Sequence, residues 1–251
     1  KGRLEVDEFA DADDSASLGA QRVTLKQHTA DVVKSVETFT ADGRRIAAAG
    51  LQRDLLSAAC FHDLGKADER FQVFLLGRVP TAETALLAKS DGLPRSATRR
   101  KWLRTLAELP EDFRHEMLSV QLAGLPEGLP AEPDRRDLIL HLIASHHGYG
   151  RPFAPVCVDD EPPAVRARLV DGTRLELTAE NRRDHDRFPP AHRFDSGVAE
   201  RFWRLTRRYG WWGLAYLEAV LRLADWHASG RVQPVKIPIT QAQVADPEVG
   251  R

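Results

Sequence analysis

The chain has 251 residues, 42% hydrophobic and 29% charged, a composition that suits a soluble globular protein with a sizeable core and excludes a fibrous, collagen-like or wholly disordered one. Lys and Arg number 36 against 37 Asp and Glu, for a net charge of -1, so there is no global pull toward nucleic acid or membrane and any polyanion site must be local. Two cysteines, Cys60 and Cys157, exclude a disulfide framework and lack zinc-type spacing, which fits a reducing cytoplasm.

Residues 1–21 contain Glu5, Asp7, Glu8, Asp11, Asp13 and Asp14 with no basic residue between them, and read as a solvated arm or linker. Because the chain opens at Lys1 rather than Met, that arm is expected to belong to a longer polypeptide. From Thr24, a plausible N-cap, to about Phe39, Leu25, Val32, Val33, Val36 and Phe39 recur at helical spacing. A second helix is expected from Arg45 to Asp63, stopping near Gly65. Others are expected at 68–77, 80–89, 97–108, 112–123 and 134–147, the last closed by Gly148. Asp171-Gly172, set between alternating stretches within 165–178, predicts a β-hairpin. Residues 179–197 read as a polar loop, and two helices at 197–209 and 211–229 close a domain spanning 22–230. A tail with Pro234 and Pro238 occupies 231–251. The expected fold is therefore all-α, a helical bundle with a small β-hairpin insertion. Its longest apolar stretches, such as 138–144, fall far below the roughly 18 residues of a membrane span, and no signal-peptide pattern opens the chain.

The informative feature is the order of metal-ligand residue types: His28, then His62-Asp63, then His115, then His146-His147, then Asp225. Imidazole and carboxylate hold borderline transition metals, and a carboxylate can bridge two ions where a neutral ring cannot. A lone histidine on an apolar helix is more often a packed core residue than a ligand. Seven such residues in this order, several at helix ends, point instead to a centre gripped between helices of a bundle.

The stretch from Ala59 through His62, Asp63, Leu64, Gly65 and Lys66 to Ala67 resembles the signature of the HD metal-dependent phosphohydrolase superfamily. Its continuation Asp68-Glu69-Arg70-Phe71-Gln72 narrows the resemblance, as do His115-Glu116, Ser145-His146-His147-Gly148 and Leu223-Ala224-Asp225-Trp226. Together they resemble the HD nuclease domain of the CRISPR-associated type I interference helicase-nuclease. The resemblance covers about 22–230. It implies that His28, His62, Asp63 and Asp225 surround one metal and that His115, His146 and His147 surround another, with Asp63 bridging. It also implies hydrolysis of single-stranded DNA with up to two divalent ions, manganese, iron, nickel or cobalt rather than magnesium.

Lys66 stands three residues after Asp63 and would share its face if the helix continued through Gly65; the functional expectation is a catalytic cation at the scissile phosphate or the leaving oxygen, and the alternative is an ordinary solvated lysine. His141 fits a core position or a supporting role behind the ligands. His185 and His192 read as solvated, and His227 faces away from Asp225. Basic clusters at Arg95, Arg99, Arg100, Lys101 and Arg104 around Trp102, and at Arg201, Arg204, Arg207 and Arg208 near Trp203 and Tyr209, combine cations with rings in the way single-strand binding needs. The alternative for each cluster is an ordinary solvated helix face. Trp211, Trp212 and Tyr216 are expected to pack the last helix into the core.

Two competing readings share the motif. An HD-type nucleotide or cyclic-nucleotide phosphohydrolase would need a closed pocket for one nucleotide, and a degenerate HD docking module would have lost ligand positions, which this chain has not. The resemblance implies a helicase module and a crRNA-guided surveillance complex as partners; no Gly-rich phosphate loop is present, so the helicase module is expected in trans or in a further part of the same polypeptide. The domain itself is expected to be monomeric.

Overall fold

The computed structural model describes residues 21–41, 50–81, 83–91, 96–125 and 129–230. The acidic arm, apart from Gln21, and the 231–251 tail lie outside the described residues, as does Arg95. The main-chain order is β1 (Val23–Thr24), α1 (Leu25–Ala41), α2 (Gln52–Phe61), a 3-10 turn (Leu64–Ala67), α3 (Glu69–Leu76), β2 (Leu87–Lys89), α4 (Ala97–Leu106), α5 (His115–Ala123) and α6 (Pro133–Ser145). There follow β3 (Val165–Arg168), β4 (Arg174–Leu177), α7 (Ala179–Arg183), a 3-10 turn (Phe194–Ser196) and α8 (Val198–Gly230). Among the described residues the body is a helical bundle with two small antiparallel two-stranded sheets, in agreement with the expected class.

Helix α1 starts where Thr24 Oγ1 accepts from the Gln27 amide at 3.2 Å, satisfying one of the amides left open at a helix start. It buries Leu25, His28, Thr29, Val32, Ser35 and Val36, the three-and-four spacing of one helical face. Helix α6 is different: every residue from Leu138 to Ser145 is buried, so it forms the central rod. Helix α2 packs on α1 and α6, α8 packs on α1 and α6, and α5 packs on α6 and the first 3-10 turn. Leu55, Leu122, Leu138, Ile139, Leu142, Ile143 and Leu221 are almost fully enclosed, each contributing roughly 1.5–3 kcal/mol by removal from water.

The hairpin forms as expected. Val165, Ala167, Leu175 and Leu177 face inward in alternation, and Gly172 turns the chain at φ +94°. The last helix divides where expected too, at Gly210, whose φ of 70° and ψ of 166° break the helical run.

Three expectations change. Residues 80–89 do not form a helix: Leu87–Lys89 is a strand paired with β1, and the Gln72 side chain receives the Leu87 amide at 2.8 Å while donating to Leu87 O at 2.9 Å. These tertiary bonds take the main-chain groups that a helix would have used. The loop 179–197 contains α7, capped by Thr178 Oγ1 on the Asn181 amide, because Arg182 is drawn inward to Asp68 and Asp159. Trp211, Trp212 and Tyr216 are exposed, not core, Trp212 at 89%; Leu214, Leu217, Val220 and Leu221 supply the inward face of that helix instead.

Candidate metal centre

The centre is assembled at element ends. Helix α2 stops at Phe61, one residue before the motif pair, so His62 and Asp63 lie on the turn rather than within a helix. Asp63 leaves helical geometry with φ -106° and ψ 3°, and the chain tightens into the 3-10 turn. That break lets both side chains point at one place, which successive residues of a straight helix, about 100° apart, do not.

Gly65 makes the next approach possible. A Cβ there would lie 2.0 Å from the His115 carbonyl oxygen, and the Gly65 amide donates to Ser119 Oγ at 2.8 Å. The turn is thereby seated on α5, with His115 at its first residue. His146 and His147 follow the last residue of α6, and Gly148 at φ +98° turns the chain back with its amide donating to Ser145 O at 2.7 Å. Arg114 Nη2 donates to the Tyr149 hydroxyl at 2.7 Å with the guanidinium over the ring, tying the start of α5 to this turn. His28 comes from α1 and Asp225 from α8.

All seven expected ligands converge. Asp63, His115, His146 and His147 offer ligand atoms within 4.8 Å of one another, and His28, His62 and Asp225 form a second such group. Asp63 stands between them: Oδ2 lies 3.4 Å from His28 Nε2 and 3.5 Å from His62 Nε2, whereas Oδ1 lies 3.0 Å from His115 Nε2 and 3.8 Å from His146 Nε2. His28 Nε2 also approaches Asp225 Oδ1 at 2.9 Å.

The donor set fits metal ions. His62 Nδ1 bonds Ala59 O at 2.8 Å and His146 Nδ1 bonds Ile143 O at 2.7 Å, each three residues back. A carbonyl can only accept, so these bonds place the proton on Nδ1 and leave Nε2 as a lone pair facing the cluster. Both Nε2 atoms are buried without a hydrogen bond. Burial is the main influence on His62, and despite the nearby Asp63 charge it pushes the imidazole down to about 4, keeping the ring neutral near pH 7. Burial acts against the Asp63 charge, but the Lys66 ammonium and the rings of His62, His115 and His146 hold this carboxyl well below the usual carboxylate range. Asp225 is likewise held low, with His28 and His62 outweighing burial.

Lys66 does not extend the α2 face; the 3-10 turn brings its Nζ to 2.9 Å from Asp63 Oδ2 and 3.3 Å from Ala88 O. Lys89, not singled out from sequence, is buried in the same charge cluster, and its ammonium is lowered by burial and by Lys66. The signal for it was hidden by the helix expected at 80–89. Glu116, fully buried, stands 3.7 Å from His115 Nδ1. His141 is outside the ligand set and contacts Glu218, while His227 Nδ1 meets Ser35 Oγ at 3.0 Å.

The basic clusters divide. Arg99, Lys101 and Trp102 are exposed on α4, but Arg100 is buried and Arg104 packs over Phe74. In the second cluster Arg201 is buried beside Asp137, Arg204 is paired with Asp137 and Glu200, and Arg208 is paired with Asp134; Arg207 is exposed. Arg100 and Arg201 are therefore part of the packed body and not of a surface path.

This constellation could hold metal ions at the meeting point of several helices of the bundle. The sequence matches the family described as Cas3, HD domain over residues 13–232, and the chain belongs to that family, which makes it a metal-dependent phosphohydrolase of the nuclease type found in CRISPR systems. No curated protein and no solved structure matches the chain. No helix among the described residues is long and apolar enough to cross a membrane.

Proposed function

We propose that the chain cuts phosphodiester bonds of single-stranded DNA in CRISPR type I interference, using up to two divalent transition-metal ions. The observation that carries this reading is the division of the Asp63 carboxylate, one oxygen toward His28 and His62 and the other toward His115 and His146. A carboxylate placed between two imidazole groups is suited to serve both ions. Five of the seven ligands are imidazoles, which favours manganese, iron, nickel or cobalt over the oxygen-seeking magnesium.

When bound, such ions acidify a water and place positive charge at the reacting phosphate. The protein's own contribution is preorganisation. His62 and His146 are held in the ligating tautomer by main-chain carbonyls, Asp63 and Asp225 are held ionised, and Lys66 adds a cation beside the bridge for charge that builds on the phosphate. Arg99, Lys101 and Trp102 offer exposed cations and a ring for strand binding. The strand is supplied by a helicase module, in cis or in trans, recruited by a crRNA-guided surveillance complex in the cytoplasm, and the domain acts as a monomer.

The test is to incubate metal-stripped protein with circular single-stranded DNA, or with nucleoside triphosphates and cyclic nucleotides, adding back one divalent ion at a time. Nicking of DNA without nucleotide turnover is expected. Nucleotide turnover without nicking would overturn the reading.

A further inference from the structure

Outside the ligand set lies a buried polar cluster that the hydrolytic chemistry does not use. Glu218, on the inward side of α8 and 5% exposed, has each carboxylate oxygen committed to a different segment. Its Oε1 meets His141 Nε2 at 2.6 Å, on α6 before the His146-His147 turn. Its Oε2 meets Arg151 Nη1 at 3.1 Å, beyond that turn, and Arg151 Nη2 reaches back to Ser145 O at 3.4 Å. The two segments flanking the turn are thus held by one carboxylate. Seven residues further along α8, about two helical turns away on the same face, is Asp225.

The turn needs such a hold. His146 and His147 lie beyond the last α6 residue, and the next residues include Gly148 and Gly150 at positive φ. Gly150 is pressed against Ala144, where a Cβ would come within 3.2 Å of the alanine Cβ, and Tyr149 between the two glycines is bonded by Arg114 at the start of α5, so these contacts hold the return path to α6 and α5. A carboxylate bonded on both sides fixes the turn relative to α8, the helix that carries the other group's Asp225.

We infer that Glu218 is a positioning residue for the Asp63, His115, His146 and His147 group: through His141 and Arg151 it sets where His146 and His147 point. The inference rests on the reading of that group as a metal site. It makes the two groups unequal in their dependence on Glu218, because its carboxylate bonds His141 and Arg151, on either side of the His146-His147 turn, whereas His28 and His62 stand on α1 and at the end of α2.

The experiment titrates the metal-stripped full chain with cobalt(II), following heat and visible absorption, for wild type, Glu218→Ala, Glu218→Gln and Arg151→Met, with circular dichroism and thermal melting on each. Wild type is expected to take two ions. Glu218→Ala should bind one ion with unchanged affinity and the other ~10- to 100-fold more weakly, the usual cost of losing a partner behind a ligand. Glu218→Gln, which keeps the length and one acceptor oxygen, should recover part of the loss. Arg151→Met removes one arm at a partly exposed site and should weaken the same ion by less. A general loss of packing would lower melting and weaken both ions together. Equal weakening of both ions, or two ions at wild-type affinity in Glu218→Ala, would overturn the inference, as would a wild type that takes fewer than two. Failure of DNA cleavage with two ions bound would count against the proposed activity and leave the role of Glu218 standing.

Discussion

Lys66 Nζ lies 2.9 Å from Asp63 Oδ2, the same oxygen that faces His28 and His62, with both side chains 2% exposed. In the metal-free protein the ammonium therefore compensates the buried carboxylate at the place where an ion would do so. Removing one partner of a buried ion pair costs about 3–5 kcal/mol because the other charge is left without compensation. Lys66→Met should accordingly melt well below wild type when metal-free and regain most of that difference on adding manganese. Its cleavage rate should remain ~10²-fold low with metal bound, since the cation beside the phosphate is missing. Thermal melting with and without metal, and single-strand cleavage on the same preparation, check both parts; metal-free melting at the wild-type temperature would contradict the first.

The neutral His62 makes stability depend on pH in one direction. Its imidazole is held at about 4 in the folded chain against a usual 6.5, so the unfolded chain binds more protons between those values. Stability is then fully present above about 6.5 and falls as the pH drops toward 4, by on the order of 3 kcal/mol for this group at 1.36 kcal/mol per unit. Asp63 and Asp225, both held below their ordinary values, extend the loss to still lower pH. Denaturant unfolding of metal-free protein from pH 7.5 to 4, compared with His62→Gln, should show a shallower decline in the variant. Parallel pH profiles would contradict the assignment.

Among the described glycines, Gly65 is the one where an added Cβ would meet the nearest atom, the His115 carbonyl oxygen at 2.0 Å. Gly65→Ala forces the 3-10 turn away from the His115 carbonyl, a strain in the class of overpacking that costs about 1–3 kcal/mol or more. The variant should lose stability and bind metal more weakly, because the turn carrying Asp63 and the helix carrying His115 separate. Melting and cobalt titration measure this directly. Wild-type values for both would contradict the packing argument.

The candidate ligand positions were legible because coordination chemistry restricts residue type, so His28, His62, Asp63, His115, His146, His147 and Asp225 stand out in order even without coordinates, and the fold brings them together in two groups that could hold metal ions. The hairpin at Asp171-Gly172 and the break at Gly210 were legible for a similar reason: few residues tolerate those turns. What decided the rest is not local. Leu87–Lys89 becomes a strand because Gln72 and β1, distant in sequence, take its main-chain bonds. Lys66 reaches Asp63 by a 3-10 turn whose tightness depends on contact with α5. Aromatic content alone misplaced Trp211 and Trp212, whose inward neighbours on α8 are the leucines Leu214 and Leu217.

The division of the basic clusters predicts unequal effects on DNA. Arg99 and Lys101 are exposed, whereas Arg204 and Arg208 already have carboxylate partners. Reversing Arg99 and Lys101 together to Glu should weaken single-strand binding and lower the salt dependence by about 0.7 in log-log slope per lost phosphate contact. The Arg204, Arg208 double reversal should change it less. Binding isotherms at several salt concentrations test the order, and a larger effect at Arg204 and Arg208 would reverse the assignment.

The central claim is that Asp63 is shared by two ions whose presence is required for cleavage. Asp63→Ala should therefore lose both bound metal and activity, by more than the ~10- to 100-fold cost of removing a supporting residue. The direct measurement is bound metal per chain, by elemental analysis, together with the rate of circular single-strand nicking, on the same preparations of wild type and Asp63→Ala. Two ions and cleavage in wild type, with both lost in the variant, is the predicted result; Asp63→Ala that keeps two ions and cuts at the wild-type rate would contradict the account.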